Sequence, residues 1–395
     1  FPTDTLQNIS WGITASAEET GAGTESGSQT WTEGNLTWTL DADGTMTISG
    51  EGVMKSYRIG NSPATQKEDS VKKVVIEYGV TSIGEYAFYD CSSLTSIEIP
   101  ESVTSIGDFA FGYCSRLTDI TIPGSVTSIG ESAFSYCIRL TDITIPGSVT
   151  SIGASAFANC TSLTGIEIPG SVTSIGGAAF GYCTNLTSIT IPKSVTSIGS
   201  NVFYDCAALK EVLLENGSTL TSKNLGVDES IIRTYWNEGD LTWTLAADGT
   251  MTISGTGAMK EYYGSDDSPA YYNSKIKKVV IENGITSIGA YAFSSCSNLT
   301  DITIPDSVTS IGEYAFQNCR KLASIEIPSS VTSIGGSAFS GTLWLRNKRQ
   351  ENNSLVIVNG ILIDGRTCSG EVTIPDGVTN IGGSAFFNCT GLTSI

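Results

Sequence analysis

Histidine is absent from all 395 residues. That removes Ser-His-Asp and Cys-His nucleophile activation, imidazole metal ligands and the usual neutral-pH general base. Basic residues are scarce: 21 Lys and Arg stand against 40 Asp and Glu, a formal net charge of −19. Nucleic acids and anionic membrane surfaces are recognised by basic patches, so neither is an expected partner. No run of 18 apolar residues occurs, so no segment is expected to span a bilayer as a helix. No P-loop or dinucleotide fingerprint appears in the strand-turn-helix setting it needs, and no cofactor is expected. An initiator Met is missing too, which fits a processed or cloned fragment. Ala15-Ser16-Ala17 is similar to a secretory cleavage site, although Pro2, Asp4, Gln7 and Asn8 interrupt the apolar segment such a signal requires. The stretch 18–34, rich in Glu, Gly, Ser and Thr, reads as a flexible surface linker.

What the chain has in abundance is one phrase, returning every 23 residues: Cys-x-x-Leu-x-x-Ile-x-Ile-Pro-x-x-Val-Thr-Ser-Ile-Gly-x-x-Ala-Phe. Its Ile-Gly pair falls at Ile83, Ile106, Ile129, Ile152, Ile175 and Ile198, then at Ile288, Ile311, Ile334 and Ile381, each followed five residues later by Phe. A period of this length marks a solenoid, in which a unit buries its apolar face only by stacking on its neighbours. Function is then sought along a repeated surface rather than in one deep pocket.

Within a unit, taken over 94–116, Leu94, Ile97 and Ile99 point inward on a short strand, with Ser96 and Glu98 in solvent. Pro100 has no N–H to continue the ladder and ends the strand. Val103 and Ile106 return to the core from a second extended segment. Gly107 permits a bend, and Ala110 and Phe111 pack inward from an expected short helical turn. By the same phase Phe134 is inside and Ser132 outside. Nine of the ten Cys share one place, three residues after the Phe: Cys91, Cys114, Cys137, Cys160, Cys183, Cys206, Cys296, Cys319 and Cys389. Thr342 takes that place in one copy. A residue type fixed by repeat phase is best explained by packing, so buried reduced thiols are favoured over disulfides. Cys368 lies off this ladder, free or exposed.

A longer repeat overlies the short one. Leu36 through Gly50 returns 205 residues later as Leu241 through Gly255, almost letter for letter. The molecule is therefore two copies of a module, each a leader followed by an array. The leader alternates apolar and polar residues around Asp-Gly, the pattern of a β-hairpin. Met54 and Tyr57, matched by Met259 and Tyr262, are expected to help it cover the first coil, because an array end leaves an apolar face open. Later the phase is lost through a polar stretch with Arg346, Lys348, Arg349 and Gln350. Two apolar runs joined by Asn359-Gly360 follow, a signal for a type I′ hairpin standing in place of one coil. The chain stops in mid-unit at Ile395, and the natural protein is expected to continue.

The unit resembles the leucine-rich repeats of the BspA type, found on surface proteins of anaerobic and gut bacteria and of some parasites. The residues carrying the match are those quoted, for example Ile122-Pro123-Gly124-Ser125-Val126-Thr127-Ser128-Ile129-Gly130 through Ala133-Phe134, over about 75–214, 279–340 and 372–395. The resemblance implies a right-handed curved solenoid of the α/β class, with short parallel strands and short helical turns. It also implies a secreted or cell-surface location, and adhesion to host proteins or other bacteria; it carries no catalytic motif. The expected organisation is a flexible segment over 1–30, a β-rich leader over 31–73 and an array over 74–225. A second leader follows over 226–278, then an array over 279–395 with its hairpin insert near 341–365.

Chemistry finds little support. Asp41-Ala42-Asp43-Gly44 faintly resembles the start of a calcium loop, but Ala246 replaces Asp41 in the second module and no closing Glu follows, so a plain turn and no metal site is expected. Asp119 and Asp142 should stack one coil apart at ~4.8 Å, close to the ~5–5.5 Å carboxylate spacing of retaining glycosidases. Thr121 and Thr144 beside them offer no wall to exclude water. The expected contact surface is the strand face, carrying Glu98, Asp119, Thr121, Asp142, Thr144, Glu167 and Thr190. A second candidate is the aromatic cluster Tyr262, Tyr263, Tyr271 and Tyr272. Tyr86, Tyr113, Tyr136 and Tyr182 in the turns read better as cover for the core edge than as a patch. The expected function is non-catalytic binding of a host or bacterial surface protein. A structural spacer displaying other domains and carbohydrate binding are the alternatives.

Overall fold

A computed structural model describes residues 27–263, 268–351 and 355–395. The Ala-Ser-Ala site and all but the end of the expected flexible segment lie outside the described residues. The chain forms two compact units, Phe1–Ser162 and Leu163–Ile395.

In the first unit the leader is a three-stranded meander. Gln29–Glu33 pairs antiparallel with Leu36–Leu40, and that strand with Thr45–Gly50. Strict alternation puts Leu36, Trp38, Leu40, Met46 and Ile48 inside. Thr45–Gly50 then pairs in parallel with Lys73–Ile76, and Lys73–Ile76 with Ser96–Glu98, so the leader is the first rung of the array. Beyond it each coil contributes two short parallel rungs, such as Asp119–Thr121 on Asp142–Thr144 and Ser105–Ile106 on Ser128–Ile129 on Ser151–Ile152.

The expected inward residues are inside, except that Ile99 is half-buried. Leu, Ile, Val, Ile, Ala, Phe and Cys recur as Leu117, Ile120, Val126, Ile129, Ala133, Phe134 and Cys137, all buried. Their Phe rings form a near-parallel column, with centroids 5.3 Å apart from Phe88 to Phe111, 5.4 Å to Phe134 and 5.5 Å to Phe157. Trp38 from the leader closes the column at 5.6 Å from Phe88. Tyr57 stands edge-on to Trp38 and donates its hydroxyl to Glu33. Glycine follows the second inward Ile because adjacent coils nearly touch there: a Cβ on Gly153 would sit 2.4 Å from the Gly130 carbonyl carbon.

Two expectations are corrected. The Phe-bearing segment is not a helical turn. Its N–H groups alternate, Ala87 and Tyr89 bonding within the coil to Gly84 and Tyr86, while Tyr86, Phe88 and Asp90 reach the next coil's Asp108, Ala110 and Gly112. A stacked neighbour offers carbonyls that a helix would leave unused, and reaching them places two residues per coil in left-handed conformation, such as Tyr86 and Asp90. Ser132 is one of these, and it is 6% exposed rather than outside.

The second unit shows how an array runs into a leader. One seven-stranded sheet joins Ser188–Ile191, Glu211–Glu215 and Ile232–Glu238 in parallel, then Leu241–Ala246 and Thr250–Gly255 antiparallel, then Lys278–Ile281 and Asp301–Thr303 in parallel. The leader is thus spliced into the ladder without a break. Its Phe column, Phe293, Phe316 and Phe339 at 5.5 Å steps, ends on Trp243 at one side and on Trp344 at the other. Trp344 belongs to Leu343–Glu351, a helix that the lost phase did not announce. Thr342 stands where Cys otherwise does because its hydroxyl accepts from Leu345 N–H at this helix start. The hairpin is as expected: Val356–Val358 pairs with Ile361–Asp364 through Asn359 and Gly360, both with positive φ. Gly382 N–H donates to the Leu362 carbonyl as Gly130 does to Ile106, so the hairpin occupies the place of a coil.

Candidate binding surfaces of the repeat array

Each strand rung turns one residue in and two out. Ile97, Ile120 and Ile143 are buried, while Glu98, Asp119, Thr121, Asp142 and Thr144 are exposed. Asp119 pairs with Asp142 and Thr121 with Thr144 in parallel register, which sets like side chains in rows along the array. Thr118 donates to Asp119 at 3.0 Å. Glu98 is engaged by Lys73 at 2.6 Å, an exposed pair of little energetic weight. In the second unit Glu167 is exposed and Thr190 half-buried, the two joined by a single parallel bridge. Arg233 meets Glu211 at 2.6 Å. The two aspartates stand on an open strand face, so nothing there excludes water as glycoside chemistry requires.

The aromatic cluster does not gather as expected. Tyr262 is fully buried: it lies edge-on to Trp243 at 6.3 Å and donates its hydroxyl to Glu238 Oε2 at 2.6 Å. It belongs to the leader's cover over the array and is withdrawn as a contact residue. Burial, then the neighbouring Glu238 carboxylate, pushes its phenol far up. Tyr263 and Tyr272 are 82% and 66% exposed, and Tyr271 packs edge-on to Tyr272 at 4.6 Å.

Rings do gather where the sequence favoured simple cover. Tyr86 stacks on Phe109, and Tyr113 on Tyr136, with Tyr89 between the two pairs. Phe109 and Tyr89 were not singled out from sequence; for Phe109 the available signal was Tyr86 at the same repeat phase, whereas Tyr89 is in phase with Gly112 and carried no such signal.

All ten cysteines are thiols, eight of them buried and Cys206 and Cys389 half-buried. Their role is to tie coils together. Cys114, Cys137 and Cys160 each donate to a Phe carbonyl of the preceding coil, Phe88, Phe111 and Phe134, at 3.1–3.2 Å. Burial pushes Cys137 up to about 12 and Cys206 to about 11, which leaves almost no reactive thiolate near neutral pH. Cys368, off the ladder, is buried rather than exposed.

Stacked coils with parallel strand rungs, a leucine–isoleucine–phenylalanine interior and a decorated outer face define a leucine-rich-repeat solenoid. The profile of the BspA type leucine rich repeat region matches residues 61–186, 150–225 and 267–393 in six copies, and the chain belongs to that family. Among solved structures it is similar to a leucine rich cell surface protein from Faecalibacterium prausnitzii A2-165, with 30% identity over 93% of this chain and 94% of that one and a TM-score of 0.38. A leucine-rich repeat protein from Bacteroides ovatus ATCC 8483 is 25% identical over 92% of this chain and 93% of its own, at a TM-score of 0.37. One from Eubacterium ventriosum ATCC 27560 is 25% identical over 80% and 95%, at 0.28. No curated protein matches the chain. Among the described residues no helix is long and apolar enough to cross a membrane.

Proposed function

We propose that this chain is a non-catalytic binding protein, displayed at the cell surface or secreted, whose repeated outer face contacts partner proteins. The observation that supports the reading most is the strand row itself. Asp119, Thr121, Asp142 and Thr144 are held in register in solvent by inward Ile120 and Ile143, a rigid polar surface that binding need not order. Membership of the BspA-type family supports the location. A chain with ten thiols can persist in an oxidising compartment when, as here, eight of them are buried and Cys206 and Cys389 half-buried. The lack of His supports the absence of catalysis.

The test is an array of mammalian matrix proteins and bacterial surface proteins probed with the parent chain and with Asp119→Ser/Asp142→Ser. Basic partners should bind better, salt should weaken them, and the double variant should lose affinity. A spacer would bind nothing, and equal retention of parent and variant on a glycan array would favour carbohydrate contact elsewhere. Turnover of a glycan or peptide that the double variant abolishes would overturn the reading.

A further inference from the structure

Every coil of the first unit demands left-handed conformation at two places in its Phe-bearing turn. The second place holds Asp90, Tyr113, Tyr136 and Asn159, with φ of 58°, 64°, 60° and 61°. Asp and Asn accept that conformation readily, whereas a bulky ring is disfavoured in it. Burial does not compensate: Tyr113 and Tyr136 are 38% and 40% exposed. The first place holds Tyr86 and Phe109 at φ 54° and 55°, where later coils have Ser132 and Ser155. At exposed Tyr113 and Tyr136, and at half-buried Tyr86 and Phe109, the array thus uses a costly residue type where its own neighbouring coils fold with a cheaper one. Backbone strain of this kind collects at functional positions.

These rings lie together. Tyr86 stacks on Phe109 at 4.8 Å and 5°, and Tyr113 on Tyr136 at 4.3 Å and 9°. Tyr89 touches Tyr86 and Tyr113, each at 5.4 Å. Their faces meet one another, so solvent meets ring edges and hydroxyls. Carboxylates lie within electrostatic reach of Tyr86, Tyr89 and Tyr113. Glu85, Glu131 and Asp108 act on Tyr86, and Asp90 acts on Tyr89 and Tyr113. Asp108 is fixed by the Glu131 N–H at 2.7 Å.

We propose that this tyrosine ladder, Tyr86, Tyr89, Tyr113 and Tyr136 with Phe109, docks an extended Lys- and Arg-rich segment of a partner protein. The four carboxylates meet ammonium and guanidinium groups, the phenol oxygens accept their N–H donors, and the aliphatic stems lie along the ring edges. A chain of net charge −19 favours such a partner from a distance as well. The inference rests on the reading of the protein as protein-binding, but puts this contact on the turn edge rather than on the strand face.

A fluorescein-labelled Arg/Lys-rich peptide, titrated by anisotropy at low salt, tests it with the full chain, Tyr113→Asn/Tyr136→Asn and Asp119→Ser/Asp142→Ser. Asn suits the left-handed position, so the tyrosine variant should keep or raise its melting temperature while its Kd for the peptide rises about tenfold or more. The strand-face variant should weaken this peptide less than the tyrosine variant does, through loss of long-range charge alone. A tyrosine variant that melts several degrees lower and still binds would mean that the rings merely cover the core. Loss of peptide binding in the aspartate variant alone would move the contact to the strand face, overturning the ladder while sparing the proposed function. No binding by the parent chain, or equal binding of an acidic peptide, would overturn the ladder as well.

Discussion

Replacing Phe134 by Ala should damage the array more than any outward change. Phe134 is fully buried, with Phe111 at 5.4 Å on one side and Phe157 at 5.5 Å on the other. A buried Phe→Ala change costs about 3–5 kcal/mol. The upper half of that range is expected, because two ring pairs worth about 0.5–1.5 kcal/mol each are lost together. Collapse into the void is also resisted, since Phe111 and Phe134 N–H are each fixed at 2.8 Å to carbonyls of the next coil. The control is Ser132→Ala. Ser132 is buried and left-handed, but Ala178 occupies the same repeat position at φ 52°, so the methyl group is accepted and the effect should stay within about 0.5 kcal/mol. Phe386→Ala, in a half-buried position, should fall between them. Urea unfolding followed by far-UV circular dichroism and by tryptophan fluorescence reads all three. Arrays unfold by neighbouring units, so whole curves rather than one midpoint are compared. Superposable curves for Phe134→Ala and Ser132→Ala would refute the stacked Phe column as the main source of the array's stability.

Thiol labelling at pH 8 should begin with half-buried Cys206 and Cys389 and reach close to ten groups only on unfolding; rapid native loss of eight thiols, seen by mass after alkylation, would contradict the packing role. Tyr57 and Tyr262 have folded pKa values raised by burial and by their Glu partners, so the unfolded chain ionises first. Stability is therefore full below about pH 10 and falls above it, and Tyr57→Phe/Tyr262→Phe should flatten that fall in melting scans between pH 8 and 11. Arg349 grips buried Asp364 through two bonds of 2.6 and 2.9 Å, so Arg349→Met should cost about 3–5 kcal/mol, and Arg349→Met/Asp364→Leu should recover much of it. A single variant as stable as the parent would show that Arg366, 3.6 Å from the same carboxylate, suffices.

Repetition made the solenoid legible. Ten copies average out local noise, so the inward positions of Leu117, Ile120, Val126 and Phe134 and the hairpin at Asn359-Gly360 follow from phase and turn chemistry alone. Four features were not legible, each for a reason outside periodicity. The turn around Phe111 looks helical by composition, but its N–H groups are claimed by another coil, and the repeat phrase names no partner for them. The helix Leu343–Glu351 arises where the phase lapses, and only Thr342 in place of Cys hints at its cap. Tyr262 looked like one of four clustered aromatics, yet adjacent residues in an extended leader face opposite ways, so Tyr262 is in and Tyr263 is out. The alternation along the strands was legible, and Glu98, Asp119, Thr121, Asp142, Thr144 and Glu167 are exposed while Thr190 is half-buried. The stacking of Tyr86 on Phe109 was not legible, because positive φ at both residues cannot be seen in composition.

Excision of two whole coils, residues 95–140, tests most directly that binding is spread along the repeated surface. The cut keeps the phrase in register and removes Asp119, Thr121, Tyr113 and Tyr136 together. Affinity for each protein retained on the matrix and bacterial surface array should fall while the shortened chain keeps β-rich circular dichroism and a cooperative melt. Undiminished affinity in a well-folded shortened chain would contradict the account, because a spacer, or a site elsewhere in the molecule, loses reach and nothing else.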